Sequence, residues 1–240
     1  MKFNLSKVKF SNKDIREEII IPNHLTPKLA YLIGIHVGDG SMNIYKGVDY
    51  LITYTGHIYD EYDFHIGIIS KLFKEIFNKK ISITFDRRRN HSSLRTYFRS
   101  KAILTFFHNA LDLPLGNKKD IDIPDIIKKS NMGIKRSFLK GLADTDFSLT
   151  FKKRHKEKHY YPVLDCSIKS KKLYYSLIKI LEELGFNLYK KTDIVNYRNG
   201  RRLLVNIINI NGKDNLKLWF EKIGFNSSKH LTKYNIWKKY

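Results

Sequence analysis

Two short stretches decide how this chain folds: YLIGIHVGDG at residues 31–40 and FLKGLADTDF at residues 138–147. Aligned without gaps, they pair small residues with small and acid with acid: Gly34 with Gly141, Gly38 with Thr145, and Asp39 with Asp146. Small residues four positions apart lie on one face of a helix and let two helix backbones approach closely. We therefore expect two helices packed against each other, with these four small residues at their interface.

The two aspartates at the ends of these helices form a candidate metal site. If the helices pack face to face, Asp39 and Asp146 emerge side by side and repel each other unless a cation is present. Hard divalent ions such as Mg²⁺ bind carboxylate oxygens together with phosphate oxygens of a substrate. Either stretch alone is better explained as a buried helix whose aspartate satisfies a turn. Because the pattern occurs twice, we favour a divalent-cation site that acts on phosphates.

The composition indicates a polyanionic partner. The 240 residues contain 45 Lys and Arg against 23 Asp and Glu, which gives a formal net charge of +22. Nucleic acid explains this excess better than a membrane surface or a ribosomal assembly. No apolar run approaches the ~18–20 residues that span a membrane, and no secretory signal opens the chain. The single cysteine, Cys166, excludes an internal disulfide and a Cys-rich zinc site, so we expect a cytoplasmic protein.

The same order of elements can be read on both sides of a segment interrupted by Pro and Gly, residues 112–131. In the first part we predict helices over 27–37, 64–77 and 101–111, and strands over 41–46, 49–57, 81–89 and 92–100. In the second part we predict helices over 133–145, 171–184 and 213–223, and strands over 147–154, 161–169, 187–195 and 201–210. The shared order predicts an α+β fold of two duplicated αββαββα units, each with a four-stranded antiparallel sheet. The expected division is an N-terminal extension (1–23), a first half (24–118), a linker (119–131) and a second half (132–240).

Both stretches resemble the signature of the LAGLIDADG homing endonucleases, in the single-chain, archaeal-type form that carries two motifs. The resemblance extends from about Leu25 to the C-terminus. It implies a DNA-binding saddle of two sheets with the motif helices at its centre, in a monomer with internal pseudo-twofold symmetry. The implied activity is site-specific cleavage of double-stranded DNA across the minor groove, with Mg²⁺ or Mn²⁺, leaving short 3′ overhangs. An intron-encoded or free-standing enzyme fits, from a prokaryotic (archaeal) or organellar source.

Position by position, the resemblance places the metal-binding acids on Asp39 and Asp146 and groups Gly38 and Thr145 with them. Asp144 has only Val37 as its counterpart, so we expect a secondary role for it, such as capping. The second motif ends on Phe147 where the first has Gly40, and a bulky residue there is expected to change the turn after Asp146.

The resemblance also implies polar or basic residues around the metals. It places them on Lys169 and its first-half counterpart His57 at strand ends, and on Lys118 and Lys229 after the last helix of each half. A lysine beside the reacting phosphate can stabilise developing charge or orient the attacking water. The alternative for each lysine is an ordinary solvated surface residue.

Strand alternation predicts which side chains face the DNA, because a half-buried strand exposes every second residue. In the first half the outward set is Ser82, Thr84, Asp86, Arg88, Arg95, Tyr97 and Arg99, opposite an inward set of Ile81, Ile83 and Phe85. In the second half it is Ser148, Thr150, Lys152, Arg154, Val163, Asp165, Ser167 and Lys169, with Arg198 and Arg201 at a hairpin tip. Such side chains suit groove edges and phosphates. A solvent-exposed sheet would also be polar, but the excess of positive charge favours DNA.

Three alternatives remain within this interpretation. An RNA maturase would use the same scaffold without needing the acids. A non-catalytic transcription regulator built on this fold would be expected to carry an appended helix-turn-helix region, which the sequence does not show. An intein-embedded copy would need flanking splicing blocks, for which the length leaves no room. The presence of both motif aspartates favours the nuclease.

Overall fold

The computed structural model describes residues 2–86, 92–154, 158–198 and 200–239. The first half contains, in order, α1 (Asn12–Arg16), α2 (Pro27–Asp39), β1 (Gly40–Tyr45), β2 (Asp49–His57), α3 (Ile58–Asp63), a π-helical segment (Phe64–Ser70), α4 (Lys71–Phe77), β3 (Ser82–Asp86), β4 (Ser93–Arg99), α5 (Lys101–Thr105) and a second π-helical segment (Phe106–Ala110). A short helix, α6 (Asp125–Lys128), precedes the second half. That half contains α7 (Met132–Asp146), β5 (Phe147–Lys152), β6 (Tyr161–Ile168), α8 (Lys171–Glu183), β7 (Leu188–Arg198), β8 (Arg201–Asn211), α9 (Lys213–Lys222) and α10 (Ser228–Trp237).

The strands form two four-stranded antiparallel sheets, ordered β1-β2-β4-β3 and β5-β6-β8-β7. The register is repeated as well as the order. Gly40, directly after Asp39, pairs with Tyr54, and Phe147, directly after Asp146, pairs with Cys166. The predicted α+β fold with two duplicated sheet units is confirmed.

The two motif helices begin and end alike. The Thr26 and Asn131 side chains accept hydrogen bonds from the first-turn backbone, and Pro27 occupies the first position of α2. Both helices end on the motif aspartate, slightly later than predicted. The expectation that Phe147 changes the turn was wrong, because Gly40 (φ −71°, ψ 147°) and Phe147 (φ −91°, ψ 151°) share one extended conformation.

The core is continuous through the middle of the molecule. In α2, every residue from Leu29 to Val37 is buried, as expected of a helix surrounded by other elements. Aromatic residues fill both halves, with Phe73 against Phe98 at 4.6 Å and Phe147 against Trp219 at 5.5 Å between ring centroids. Within the described ranges, no helix is long and apolar enough to cross a membrane.

Several predicted elements have different bounds in the structure. The helix predicted over 64–77 begins six residues earlier, at Ile58. The prediction started too late because the added residues, IYDEYD, show little apolar periodicity. The strand predicted over 147–154 ends at Lys152, since Arg154 adopts a left-handed conformation (φ 53°). The N-terminal extension is anchored through buried Asp14, which accepts hydrogen bonds from the Ser100 hydroxyl (2.6 Å) and the Ala102 backbone (3.2 Å) at the start of α5.

Candidate functional site

The motif helices α2 and α7 touch backbone to backbone. A β-carbon on Gly34 would lie 2.1 Å from the carbonyl oxygen of Phe138, and one on Gly141 would lie 2.0 Å from that of Tyr31. Only glycine leaves room at these two positions, because the opposing atoms are backbone and cannot rotate away. The predicted interface residues therefore meet, in a reciprocal arrangement that follows the pseudo-twofold axis.

The same close approach brings the two acids together. A β-carbon on Gly38 would lie 2.0 Å from Thr145 Oγ1 and 3.4 Å from the carboxyl carbon of Asp146. Burial, the charge of Asp146 and a further acid, Glu61, raise the pKa of Asp39 to about 7. The Asp146 side chain is open to solvent, yet the surrounding protein still desolvates its carboxylate and raises its pKa. The charges of Lys118 and Lys229 oppose this rise in the pKa of Asp39, so two neighbouring acids and two lysines share the site.

Lys118 closes the C-terminal end of α2. Its ammonium donates hydrogen bonds to the carbonyl oxygens of Val37 (2.9 Å) and Gly38. Free carbonyls at a helix C-terminus attract cations. Burial lowers the pKa of Lys118, while the charges of Asp146 and Asp39 raise it. The prediction that Lys118 lies beside the acids matches this geometry, but the Gly38 carbonyl is bound by that lysine.

The other predicted lysine approaches from the second half and is paired with an acid of the first. Lys229 in α10 lies 2.9 Å from a carboxylate oxygen of Glu61 in α3, and both side chains are mostly buried. Glu61 also accepts a hydrogen bond from the backbone amide of His57 at 2.7 Å. Glu61 was missed by the sequence reasoning, which started this helix at residue 64. The available signal was an acid four residues beyond the strand-end histidine.

The strand-end residues His57 and Lys169 occupy equivalent positions in the two halves. His57 and Lys169 each follow by three residues the β-strand residue that pairs with Gly40 or Phe147. The His57 ring contacts Asp60 at 3.2 Å and is half-exposed, and Lys169 is exposed. Neither is among the described residues whose charge shifts the pKa of Asp39 or Asp146. The structure brings Lys118 and Lys229 to the acids, and a role for His57 and Lys169 at the site stays a prediction.

Asp144 is buried and hydrogen-bonded to groups of the protein itself. It accepts hydrogen bonds from the Tyr31 hydroxyl (2.6 Å) and from the backbone amides of Asn226 (3.0 Å) and Ser227 (2.9 Å). Burial raises its pKa to about 6, against the opposing effect of these hydrogen bonds. Asp144 therefore ties α2 and α7 to the turn that leads into α10, and so to Lys229.

The donor set limits how a metal ion could bind. Among the residues that the structure describes, no three His, Cys, Asp or Glu side chains are arranged to hold a metal ion. Asp39 and Asp146 supply two carboxylates, and Mg²⁺ completes such sites with water and substrate phosphate oxygens. Two adjacent carboxylates fit a divalent ion, because the nearby Lys118 and Lys229 already hold other partners. The Gly38 carbonyl, predicted to belong to the metal site, is engaged by Lys118.

The polar faces of the two sheets carry most of the predicted DNA-facing residues. In the first half, register pairs Ser82 with Tyr97 and Thr84 with Arg95, so these side chains share one face with Arg99. In the second half, Ser148 pairs with Asp165 and Thr150 with Val163. The same faces include residues that the sequence analysis omitted: Asn43, Thr53 and Thr55 in the first sheet, and Tyr189, Lys191 and Asn209 in the second.

Several predicted orientations were wrong. Phe85 is 46% exposed and stacks on Tyr62 at 6.0 Å, because it lies at the edge strand beyond the core. Val163 is buried despite its outward register. Arg154 lies past the strand end and its guanidinium stacks on Tyr161 at 4.1 Å. Arg88 lies outside the described residues, as do the side chains of Asp86, Arg198 and Arg201.

Comparison with known proteins finds similarity in structure only. No protein-family profile matches the chain, and no curated protein matches it. The homing endonuclease I-DmoI, in complex with DNA and Ca, matches 87% of this chain and 97% of its own, with 22% identity and a TM-score of 0.58. The homing endonuclease I-WcaI, bound to its DNA recognition sequence, matches 88% of this chain and 85% of its own (16% identity, TM-score 0.53).

A third neighbour is the N-terminal LAGLIDADG domain of DUF199/WhiA. It matches 92% of this chain and 93% of its own, with 15% identity and a TM-score of 0.53. At these identities the similarity concerns the fold, and it covers both halves with their motif helices. The chain therefore has the fold of the LAGLIDADG homing endonucleases, with both motif helices in one polypeptide.

Proposed function

We propose that this chain is a site-specific, metal-dependent endonuclease that cuts both strands of a double-stranded DNA target. The observation that carries the proposal is the pairing of Asp39 and Asp146 at the tip of two helices in backbone contact, with the lysines Lys118 and Lys229 beside them. The structural neighbours support it, since I-DmoI was crystallised with DNA and Ca or Mn, and I-WcaI with its DNA recognition sequence.

The reaction is hydrolysis of one phosphodiester in each strand. Water adds across a P–O bond, so that one product ends in a phosphate and the other in a hydroxyl. Asp39 and Asp146 would hold the divalent ion, Mg²⁺ or Mn²⁺, which when bound stabilises charge on the phosphate and activates water. Lys118 and Lys229 can stabilise the additional negative charge on the phosphate as the P–O bond breaks.

Affinity would come from the sheets and cleavage from the helix tips. The shared faces of β3 and β4, and of β5 and β6, present Ser, Thr, Arg and Lys side chains that suit groove edges and phosphates. His57 and Lys169, at equivalent strand ends, would contact the DNA phosphates beside the cut. We assign residues 24–118 and 132–240 to one half-site each, with 1–23 as an extension and 119–131 as a linker, in a monomeric enzyme.

The test is incubation with plasmid DNA carrying a candidate intron-insertion site, with Mg²⁺ or with EDTA. We expect linear product with short 3′ overhangs in Mg²⁺ and none in EDTA. Specific binding without cleavage under any divalent ion would overturn the proposal in favour of a non-catalytic DNA-binding protein. Binding to a folded intron RNA in place of the duplex would favour the maturase.

A further inference from the structure

A third carboxylate stands at the acidic site and belongs to neither motif. Glu61 raises the pKa of Asp39 through its charge, although it lies in a different helix. Its own pKa is lowered: burial opposes ionisation, but the His57 amide and Lys229 stabilise the carboxylate more strongly. Glu61 is therefore an ionised group with fixed partners, beside the site rather than on the open surface.

The neighbours of Glu61 fix the position of its carboxylate. A β-carbon on Gly56 would lie 2.8 Å from Glu61 Oε2 and 2.5 Å from His65 Nε2, so the missing side chain makes room for both. His65 is fixed in turn by Thr96 Oγ1 at 2.5 Å. One carboxylate oxygen accepts a hydrogen bond from the His57 amide at 2.7 Å, and the other accepts one from the Lys229 ammonium at 2.9 Å.

Among the described residues of the second half, this arrangement has no counterpart. The strand register and the helix start place Glu61 opposite Leu173 or Tyr174 in α8, and both are buried without a carboxylate. Lys118, the pseudo-symmetric partner of Lys229, donates to backbone carbonyls of α2. Each lysine near the acids is thus held in a different way, one by a side chain of the opposite half and one by a helix end.

We propose that Glu61 is a positioning residue that holds Lys229 at one of the two cutting centres, so that the two DNA strands are cut at unequal rates. The inference rests on the proposed nuclease function. The ion pair joins α3 of the first half to α10 of the second, so it fixes the direction of the Lys229 side chain, whereas Asp144 fixes only the backbone at the start of α10. Loss of the ion pair should slow cleavage of the DNA strand at the centre that contains Lys229, and it should leave cleavage at the centre that contains Lys118 unchanged.

The experiment measures single-turnover cleavage of a target duplex labelled separately on each strand. We expect Glu61→Ala to slow one strand by about 10-fold, with the other within about 2-fold, so that nicked duplex accumulates. Lys229→Met should slow the same strand, and the double variant should be no slower than Lys229→Met alone. Glu61→Gln keeps a single acceptor oxygen, which can serve Lys229 or the His57 amide but not both, and should restore only part of the rate.

A matched control is Glu75→Ala, which removes an acid paired with Lys28 at 2.6 Å near the opposite end of α2. It should leave both strand rates unchanged. A second readout needs no cleavage: reductive methylation of Lys229, followed by mass spectrometry, should be several-fold faster in Glu61→Ala than in the wild type. Equal slowing of both strands, additive effects in the double variant, or unchanged Lys229 reactivity would overturn the inference. A wild-type protein that cuts neither strand but shows the reactivity change would refute only the nuclease proposal.

Discussion

Gly34 and Phe138 lie so close that a β-carbon on the glycine would be 2.1 Å from the phenylalanine carbonyl oxygen. The opposing atom belongs to a helix backbone, so the clash can be relieved only by moving a whole helix. The distance between the helices also sets the distance between Asp39 and Asp146. Stability and catalytic geometry are therefore coupled at this contact.

We expect Gly34→Ala to lower the free energy of unfolding by roughly 1–3 kcal/mol through overpacking. Cleavage per folded molecule should fall further, because displacement of reacting groups by about 1 Å can cost ~10²-fold in rate. Urea denaturation gives the first quantity, and single-turnover cleavage normalised to folded protein gives the second. The control is Gly67→Ala, where an added β-carbon meets no atom within 4 Å. Normal activity per folded molecule in Gly34→Ala would show that the helix contact is only structural.

The sequence predicted the parts of the fold that depend on local pattern. Gly34 and Gly141 could be placed at an interface because small residues at helical spacing have one geometric consequence. Strand alternation correctly placed Thr84 and Arg95 on the same face of the sheet. The prediction that Phe85 is buried was wrong, because strand alternation indicates which face of the sheet a residue is on but not whether the core extends as far as that residue.

The electrostatic partners of the site could not be predicted in the same way. Glu61 and Lys229 are 168 positions apart, and their contact depends on how α10 of one half reaches α3 of the other. In α3 only Ile58 is buried, and Glu61 pairs with a lysine rather than packing into the core, which is why apolar periodicity missed the start of this helix. Asp144 was similarly visible as an acid, but its role depends on backbone amides at Asn226 and Ser227.

DNA affinity should depend strongly on salt. Six to ten phosphate contacts would give a slope of log K against log salt of about −5 to −9, and a loss of roughly 10³–10⁵ in affinity between 50 and 200 mM salt. Arg95→Ala, on the polar face of β4, should reduce the magnitude of the slope by about one. Fluorescence anisotropy of a labelled duplex measures both. Lys28→Ala, near the far end of α2, should leave the slope unchanged, and a flat titration of the wild type would contradict the basic footprint.

Acid should destabilise the protein through its buried histidines. Burial lowers the pKa of His36 and His230 to about 3 and that of His65 to about 4, each below the ordinary value of 6.5. At these three histidines the unfolded chain binds more protons than the folded one below pH 6.5, so their contribution to stability falls as pH falls from 6.5 towards 4. The raised pKa values of Asp39 and Asp144 act in the opposite direction. Each histidine contributes a slope of up to about 1.4 kcal/mol per pH unit.

His230 is the cleanest site for this test, because its ring nitrogens have no hydrogen-bond partner in the described part of the chain. We expect His230→Leu to flatten the decline in unfolding free energy between pH 6.5 and 4.5. Urea midpoints across this range measure it, with His24→Ala at an exposed position as the control. An unchanged pH slope in His230→Leu would mean that this ring is already protonated in the folded protein.

The two acids should be required for cleavage and costly for stability. Asp39→Asn or Asp146→Asn removes a carboxylate worth several kcal/mol of transition-state stabilisation through the metal, so double-strand cleavage should fall by roughly 10³-fold or more. DNA binding measured in Ca²⁺ should remain within a few-fold, because the sheets supply it. Wild-type cleavage by either variant would remove that residue from the site.

Stability separates this role from a structural one. Burial and the charge of Asp146 disfavour the ionised form of Asp39, so neutralising it should raise the melting temperature in EDTA. Asp144→Asn is the matched control two positions from Asp146. This change weakens the hydrogen bonds that the residue 144 side chain accepts from the Tyr31 hydroxyl and from two backbone amides. It should therefore lower the melting temperature. If Asp39→Asn destabilised the metal-free protein as much as Asp144→Asn, Asp39 would be a structural acid, and the paired-carboxylate metal site would be untenable.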